Sequence, residues 1–298
     1  MDTILHHGRC PDGWTAAYIA SCKYPEAQLV PLDHGVNYDV FIEMLRGQDV
    51  LMFDFSFKTR EQNIKASEIT KSFHIYDHHK TAQAVLEGLD FATFDMNRSG
   101  AGLAWDYLVG KDSDYHKQLS VYNPTGDPDM PPMERPWWVN YTEARDLWRW
   151  DSLPNAKEIC AYLSTVPFTK EAYKSLNTVY SIDAYGLGKG ALAHIEHYVR
   201  EAIQQTKYGE LDGHKVGVTN VIYLNCSEVG MAVAKMADYS LTWFERHDGN
   251  IQFSLRSVGN FDVSEIAKKY GGGGHKNAAG FELKIPEGRR LIDVILGR

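Results

Sequence analysis

A length of 298 residues is enough for two ordinary domains, and a content of 44% hydrophobic and 23% charged residues is typical of a globular protein with an ample core. The formal net charge of −8 argues against binding of long duplex nucleic acid through a broad basic face. The four cysteines form no CxxC pair, and neither a signal-peptide pattern nor an apolar run of membrane-spanning length is present, so we expect a cytoplasmic protein without disulfides.

Short β-like runs alternate with helical runs through the first half of the chain. Strands are predicted over residues 3–7, 28–31, 50–53 and 73–76. Helices are predicted over residues 14–24, 38–45, 58–71 and 100–109. This alternation predicts an α/β domain with a parallel sheet that has helices on both faces and gathers its ligands at the carboxyl ends of the strands.

A proline-rich segment, residues 122–136, interrupts the alternation and is predicted to be a surface loop. Further helices are predicted over residues 142–148, 156–164, 170–176 and 191–206. The last of these has the length and mixed polarity of a connecting helix. We therefore predict domain boundaries at 1–190 and 211–298, with a linker helix over 191–210.

The second domain has the pattern of a small α+β fold. Its strands are predicted over residues 215–223, 241–244, 251–256 and 280–283, and its helices over 231–239 and 263–270. The dipeptide Asp248-Gly249 between two of these strands is a strong signal for a β-hairpin. A run of four glycines followed by His275 precedes the last strand and, taken alone, is typical of a flexible loop.

Three of the predicted strands in the first half end in acidic or imidazole side chains. The first ends at His7 and leads to Asp12, the second is followed by Asp54, and the third by the triplet Asp77-His78-His79. Because the carboxyl ends of parallel strands meet at one edge of a sheet, these side chains predict a metal site. Carboxylates suit Mn²⁺ and Mg²⁺, and imidazole suits Mn²⁺ better than Mg²⁺.

Within this set, Asp54 is the natural bridging ligand because its strand is predicted to be central. Asp12 and His78 would flank it. Asp146, in a predicted helix, is the best candidate for a fourth acid. The alternative for Asp146 is an exposed helix acid paired with a neighbouring arginine.

Four motifs in this order resemble the DHH phosphoesterase superfamily with its C-terminal DHHA1 domain, in the branch of nanoRNases and RecJ-like phosphodiesterases. They are the stretch 7–13 (HGRCPDG), the segment 53–56 (FDFS), the triplet 77–79 (DHH) and the segment 271–275 (GGGGH). The resemblance implies two divalent metal ions, usually Mn²⁺, in the first domain. It also implies a second domain that binds the phosphate or nucleotide part of a substrate.

The resemblance implies a role for each matching residue. His79 would lie near the scissile phosphate, and Asp77 would orient the imidazoles. Substrate would contact Arg256, Gly273, Gly274 and His275. The metal ligands would be His7, Cys10, Asp12, Asp54, His78 and Asp146.

The first motif departs from the family pattern at Cys10, which stands where an aspartate is expected. His7 is also one position further from Asp12 than in that pattern. A thiolate would favour Zn²⁺ or Fe²⁺ over Mg²⁺. The alternative is a small buried thiol beside a helix N-terminus, and both interpretations stay open at this point.

By resemblance, the implied activity is hydrolysis of phosphodiester or phosphomonoester bonds in short oligonucleotides or small nucleotides, through water activated by two metal ions. The first alternative is a pyrophosphate or polyphosphate hydrolase, against which the glycine-histidine segment argues. The second is a nucleotide-binding protein with a decayed metal site, for which Cys10 is the sequence evidence. No membrane partner is expected, and a homodimer is compatible with these features.

Overall fold

The structure, a computed structural model, describes residues 1–33, 36–110 and 135–298. Two compact units divide the chain, Met1–Leu192 and Ala193–Arg298. Of the predicted surface loop 122–136, residues 122–134 lie outside the described residues. Among the described helices, none offers an apolar stretch long enough to cross a bilayer.

The first unit is built on a five-stranded parallel sheet, as the sequence predicts. Its strands are β1 (Thr3–His7), β2 (Gln28–Leu32), β3 (Asp49–Phe53), β4 (Ser72–Asp77) and β5 (Ala92–Phe94). They lie in the order β2-β1-β3-β4-β5, and every pairing is parallel. Strand β3 is therefore central, and the ends of β1 and β4 flank its end.

Helices cover both faces of this sheet, which confirms the predicted α/β architecture. They are α1 (Pro11–Lys23), α2 (Asp39–Met44), α3 (Arg60–Ile69), α4 (Lys80–Leu86), α5 (Gly100–Ala104), α6 (Trp137–Asp146), α7 (Ala156–Leu163) and α8 (Lys170–Leu176). Neighbouring strand residues point to opposite faces, so Ile4 joins one buried apolar cluster and Leu5 the other. The strands thus read as continuous apolar runs, as in sheets buried on both sides.

The second unit is a six-stranded mixed sheet with helices, which confirms the predicted α+β fold. Its strands are β6 (Lys207–Leu211), β7 (His214–Asn220), β8 (Tyr239–Glu245), β9 (Asn250–Ser257), β10 (Gly273–His275) and β11 (Ala278–Lys284), in the order β10-β11-β9-β8-β7-β6. Within this fully described sheet, only β7 and β8 pair in parallel. The predicted hairpin at Asp248-Gly249 joins β8 to β9, with Gly249 at a φ of 81°.

The helices of the second unit are α10 (Cys226–Ala234), α11 (Val263–Lys269) and α12 (Ile285–Ile295), and α9 (Ser181–Gln204) crosses the boundary between the units. One face of the sheet carries the main apolar core, which includes Leu255 and Phe253. The other face is lined by small and polar residues such as Ser240 and Thr242, and α10 packs over it.

Several elements differ from their predicted bounds for physical reasons. Helix α9 begins ten residues before the predicted start at 191, because the segment 186–190 (GLGKG) is helical. A side chain at Gly188 would collide with the backbone carbonyl of Glu158, so this glycine permits close packing against α7. Helix α10 begins at Cys226 rather than 231, and Tyr239 opens strand β8 instead. Residues 105–109 form a π-helical turn after α5.

Candidate metal centre

The carboxyl edge of the parallel sheet collects the acids and imidazoles that the sequence singles out. Strand β1 ends at His7, β4 ends at Asp77, and Asp54 follows β3 directly. Asp54 has a φ of 54°, in the left-handed region that a residue with a side chain rarely adopts. Its amide donates to the Tyr76 carbonyl at 3.0 Å, which fixes this turn against β4. Such strained backbone is typical of functional sites.

His78 and Asp54 form the middle of the site. The Nε2 atom of His78 lies 3.1 Å from Asp54 Oδ1, 3.4 Å from Asp146 Oδ2 and 3.8 Å from Asp12 Oδ2. The second carboxylate oxygen of Asp54, Oδ2, lies 3.5 Å from His7 Nδ1. The predicted ligands from four different segments therefore meet around one carboxylate and one imidazole.

Two backbone amides orient the carboxylate of Asp12. Asp12 lies in the first turn of α1, and its carboxylate accepts hydrogen bonds from the Gly100 amide at 2.5 Å and the Ala101 amide at 3.0 Å. These amides open helix α5, whose N-terminus favours negative charge. A side chain at Gly100 would meet both Asp12 and Asp54, so glycine is required for this close approach.

Asp77 fixes the two histidines that follow it. One of its oxygens, Oδ1, accepts the backbone amides of His78 at 2.7 Å and His79 at 3.2 Å. The same oxygen lies 2.7 Å from Nδ1 of the His79 ring. Asp77 is 1% exposed, so these contacts are shielded from water. The carboxylate therefore sets the orientation of the His79 imidazole.

Asp146 and Cys10 complete the group of predicted ligands in the first unit. Asp146 is the last residue of α6 and the most open of the four acids, with its side chain 26% exposed. Cys10 immediately precedes α1, and its thiol, a ring nitrogen of His7 and a carboxylate oxygen of Asp54 all lie within 4.8 Å of one another. Asp12, Asp54 and His78 form a second group with the same spacing.

Burial and mutual repulsion shift the pKa values of the acids apart. Burial, together with the charges of Asp146 and Asp54, raises the pKa of Asp12 well above its ordinary value. Burial would raise the pKa of Asp54 too, but the imidazoles of His7 and His78 beside its two oxygens outweigh it and hold that pKa well below the usual range. Asp54 therefore favours the ionised form, as does Asp77, whose pKa is lowered by His79 against the effect of burial.

The imidazoles respond in the opposite sense. Burial alone would lower the pKa of His78, yet the charges of Asp146 and Asp54 outweigh it and raise that pKa well above its ordinary value. For His79, burial is likewise outweighed by the charge and hydrogen bond of Asp77, and the pKa rises. These imidazoles balance the charge of the acids, and a divalent cation bound by His78 would displace the proton of that ring.

The donor set fits a divalent cation. In the part of the chain that the structure describes, the ion-pair partners of Asp12, Asp54, Asp77 and Asp146 are all histidines. The Oδ2 atom of Asp54 is fully buried and accepts no hydrogen bond from any described residue. Buried carboxylates without an arginine or lysine are costly unless a cation binds them, which makes this cluster suited to metal.

The predicted substrate residues of the second unit lie on the small-residue side of its sheet. His275 on β10 is opposite Ala278 on β11, which is opposite Arg256 on β9. Residues directly opposite in antiparallel strands point to the same face, so His275 and Arg256 share a face with only a methyl group between them. The Arg256 guanidinium donates to Ser227 Oγ at 2.7 Å.

Gly273 and Gly274 form edge strand β10 rather than a loop. Gly274 has a φ of 137°, and an added Cβ would approach the Ala278 carbonyl oxygen to 2.6 Å. Gly273 is opposite Gly280, so neither of the two paired residues has a side chain at that point of the sheet. This geometry explains the glycines by backbone conformation and close strand approach.

Two parts of the site could not be predicted from the sequence. The amides of Gly100 and Ala101 that hold Asp12 are backbone groups, signalled only by the capping Ser99 before a glycine. Glu143, 6% exposed, accepts the Ser99 amide at 3.2 Å and a hydrogen bond from Arg135 at 2.9 Å. Glu143 lies one turn before Asp146 on α6. Its contact with the Ser99 amide therefore connects that helix to the neighbouring amides of Gly100 and Ala101, which hold Asp12.

The family model described as the DHHA1 domain matches residues 219–296. Among curated proteins, the chain is 26% identical over 305 residues to the uncharacterized protein R106 of Acanthamoeba polyphaga mimivirus, across 94% of this chain and 67% of that protein. It is 25% identical over 242 residues to oligoribonuclease NrnB of Bacillus subtilis, across 74% of this chain and 57% of that enzyme.

A shorter match reaches 39% identity over 72 residues to the bifunctional oligoribonuclease and PAP phosphatase NrnA of Mycoplasma genitalium, across 24% of this chain and 21% of that protein. The chain therefore spans about two thirds of the length of the mimivirus protein and smaller shares of the two bacterial enzymes.

Two solved structures share the fold. The pGpG-specific phosphodiesterase PggH of Vibrio cholerae superposes with a TM-score of 0.51 at 11% identity, across 100% of this chain and 98% of that one. RecJ of Thermus thermophilus in complex with Mn²⁺ has a TM-score of 0.51 at 16% identity, across 100% of this chain and 52% of that one. At these identities the likeness concerns the fold.

Proposed function

This chain belongs to the DHH phosphoesterase superfamily and carries a C-terminal DHHA1 domain, and from that premise we propose that it is a metal-dependent phosphoesterase. Its substrates would be short oligonucleotides or small nucleotides, in which it hydrolyses phosphodiester or phosphomonoester bonds. The relatives named as oligoribonucleases and the neighbour named as a pGpG-specific phosphodiesterase support this substrate class.

Asp54 belongs to three groups of candidate ligand atoms, and the position of two of them on opposite sides of its carboxylate is the observation that carries the proposal. His7 and Cys10 group with Asp54 on one side, and Asp12 and His78 group with it on the other. A carboxylate with one oxygen toward each group is the arrangement that a bridging ligand requires. The strained φ of Asp54 directs it to this position and supports a functional role over a structural one.

Two divalent ions, with Mn²⁺ expected, would be held by His7, Cys10, Asp12, Asp54, His78 and Asp146. Bound ions of this kind act as Lewis acids, lower the pKa of water and offset charge on phosphoryl oxygens. Asp12 keeps its carboxylate oriented through the amides of α5, so it is pre-organised as a ligand. His78 must lose its proton to bind, which couples metal affinity to pH.

His79 would contact the substrate rather than a metal. Its Nδ1 atom is fixed against Asp77, and its raised pKa favours the protonated ring. A protonated imidazole in this orientation can donate to a phosphoryl oxygen on which negative charge develops. Asp77 acts through His79 and is a positioning residue.

The second domain would bind the phosphate or sugar part of the substrate. Arg256 and His275 lie on one face of its sheet. Only the small side chain of Ala278 lies between them on that face. Gly273 and Gly274 carry no side chain and are partly accessible, so a phosphate could approach their backbone closely. We propose residues 1–190 as the catalytic domain, 191–210 as the linker and 211–298 as the substrate-binding domain, in a protein whose expected location is the cytoplasm.

Hydrolysis of a small substrate panel tests the proposal. The panel holds pApA, pGpG, a pentanucleotide RNA, 3′-phosphoadenosine phosphate and pyrophosphate, each with Mn²⁺ and with EDTA as the control. Cleavage of one nucleotide class that EDTA abolishes is the expected result. Cleavage of pyrophosphate alone would favour the polyphosphate alternative, and metal binding without any turnover would favour a nucleotide-binding protein.

A further inference from the structure

Cys10 lies where a metal ligand would be, although an aspartate is expected there. Its thiol, a ring nitrogen of His7 and an oxygen of Asp54 are mutually within 4.8 Å. Asp54 Oδ2, the oxygen nearest His7 at 3.5 Å, is buried and accepts no hydrogen bond from any described residue. A buried carboxylate oxygen whose nearest polar neighbours are a sulfur and a ring nitrogen, and which accepts no hydrogen bond within ordinary geometry, can bind a cation together with them.

The separation of the nitrogen and oxygen ligand atoms agrees with a tetrahedral ion, and the sulfur lies within 4.8 Å of both. Metal–nitrogen and metal–oxygen bonds of about 2.0–2.2 Å at tetrahedral angles put these two atoms roughly 3.4 Å apart. The measured separation of His7 Nδ1 from Asp54 Oδ2 is 3.5 Å. Three protein ligands would leave one position for a ligand from outside, the pattern of catalytic rather than structural zinc sites.

The two sides of Asp54 offer different chemistry. On the side of Asp12 and His78 the donors are carboxylates and one imidazole, which suit Mn²⁺. On the side of Cys10 a sulfur replaces an oxygen, and sulfur ligands select thiophilic ions. Burial and the charges of Asp54, Asp12 and Asp146 raise the pKa of the Cys10 thiol well above its ordinary value, so a bound cation would have to displace the thiol proton.

We propose that His7, Cys10 and Asp54 bind a thiophilic divalent ion such as Zn²⁺ or Fe²⁺, so that this protein holds a mixed metal pair with Mn²⁺ on the Asp12 side. This inference deepens the proposed function, on whose metal site it rests. It also explains why Cys10 is compatible with a working centre: the thiolate changes which ion binds and preserves the number of ligands.

Cobalt spectroscopy on the metal-stripped protein tests the sulfur ligand directly. Co²⁺ is added without oxygen, and the near-ultraviolet absorption of a thiolate-to-cobalt charge transfer is recorded. We expect this band in the wild type, with saturation at one equivalent of Co²⁺ while a second equivalent binds without increasing it. The band should disappear in Cys10→Ser and in Cys10→Asp.

Cys22→Ser is the matched control, because Cys22 lies on helix α1, which follows Cys10, and is also half-buried, yet belongs to no ligand group among the described residues. It should keep the band. Thermal unfolding of each stripped variant checks that the fold is intact. Stoichiometric Co²⁺ binding to the wild type without the band, or a band that survives Cys10→Ser, would overturn the proposal.

Metal preference gives a second readout that needs no turnover. Competition against a chromophoric chelator yields the Kd values of Zn²⁺ and Mn²⁺ for the wild type and for Cys10→Asp. Loss of the thiolate should reduce the preference for Zn²⁺ over Mn²⁺ by roughly tenfold or more. An unchanged ratio would count against the mixed pair.

These outcomes separate the inference from the proposed function. A charge-transfer band in a protein that hydrolyses none of the panel would keep the sulfur ligand and reject the phosphoesterase. Hydrolysis with Mn²⁺ by a protein that shows no band would do the reverse.

Discussion

The two sheets of this protein present their candidate site residues in opposite ways. At the carboxyl edge of the N-terminal sheet, buried acids and imidazoles crowd around Asp54, and each contributes its side chain. On the C-terminal sheet, the candidate surface near His275 and Arg256 includes Gly273, Gly274 and Ala278, which add almost no side-chain volume. Charge is concentrated in one region and side-chain volume is removed in the other.

Because of this difference, the two regions should be sensitive to different kinds of substitution. In the first region a single substitution leaves buried charges without their partners, which costs far more than the loss of one contact. In the second region, damage comes from adding atoms where the backbone must remain accessible. Substitutions in the two regions should therefore differ in size and in the quantity they change.

Asp54→Asn should have the largest effect. The change removes the carboxylate that both ligand groups share, so hydrolysis should fall by roughly 10³-fold or more, the upper range for loss of one electrostatic partner. Steady-state kinetics with Mn²⁺ and titration of bound metal measure it. Asp49→Asn, at the opposite end of the same strand, is the matched control and should remain within about twofold. Near-normal turnover in the Asp54 variant would reject the shared-ligand model.

The second prediction concerns the pH dependence of Mn²⁺ affinity. The raised pKa of His78 favours the protonated imidazole near neutral pH, so the metal must displace a proton from that ring to bind it. Raising the pH removes this proton, so affinity should increase by about tenfold per pH unit for each proton displaced. Electron paramagnetic resonance of free Mn²⁺ from pH 6 to 8 measures the slope.

Asp146→Asn sharpens this second prediction, because Asp146 supplies the largest charge that raises the His78 pKa. Its loss should lower that pKa and flatten the slope, although absolute affinity also falls. A Kd independent of pH in the wild type would contradict the protonated cluster.

The same contrast between the two regions decides how much could be predicted from the sequence. Strand ends in a parallel sheet follow from alternating apolar runs, so the convergence of His7, Asp54 and Asp77 could be predicted, and the sheet order confirms it. The DHH and DHHA1 assignment, the α/β fold of the first unit and the mixed sheet of the second are confirmed as well.

What could not be predicted depends on contacts between segments that are distant in the chain. The Gly100 and Ala101 amides that hold Asp12 lie 88 and 89 residues from it, and no local pattern joins them. Edge strand β10 has no apolar alternation, because glycines let it lie against β11 without side chains. The sequence predicts a shorter helix α9, since glycine normally disfavours helix and only packing against α7 explains it here.

His275→Ala tests the second region with an effect of intermediate size. Loss of one hydrogen bond to phosphate should raise KM for a dinucleotide by roughly tenfold, the equivalent of about 1.4 kcal/mol. Hydrolysis of bis-p-nitrophenyl phosphate, which lacks the nucleoside groups, should change less. His247→Ala, an exposed histidine near the opposite end of β9, is the control. Equal losses for both substrates would mean that this domain does not recognise the nucleotide.

Gly274→Ala and Gly249→Ala together give the smallest and most specific comparison. Both glycines have a positive φ, so both substitutions should cost about 1 kcal/mol of backbone strain. Only at Gly274 would the new Cβ also meet a carbonyl oxygen, that of Ala278, since nothing lies within 4 Å at Gly249. Calorimetric unfolding should therefore show Gly274→Ala as the less stable variant, by roughly a further 1 kcal/mol. Equal stability of the two variants would mean that β10 can shift away from β11 to make room for the new methyl group. The backbone at 273–274 would then not be a fixed surface for phosphate.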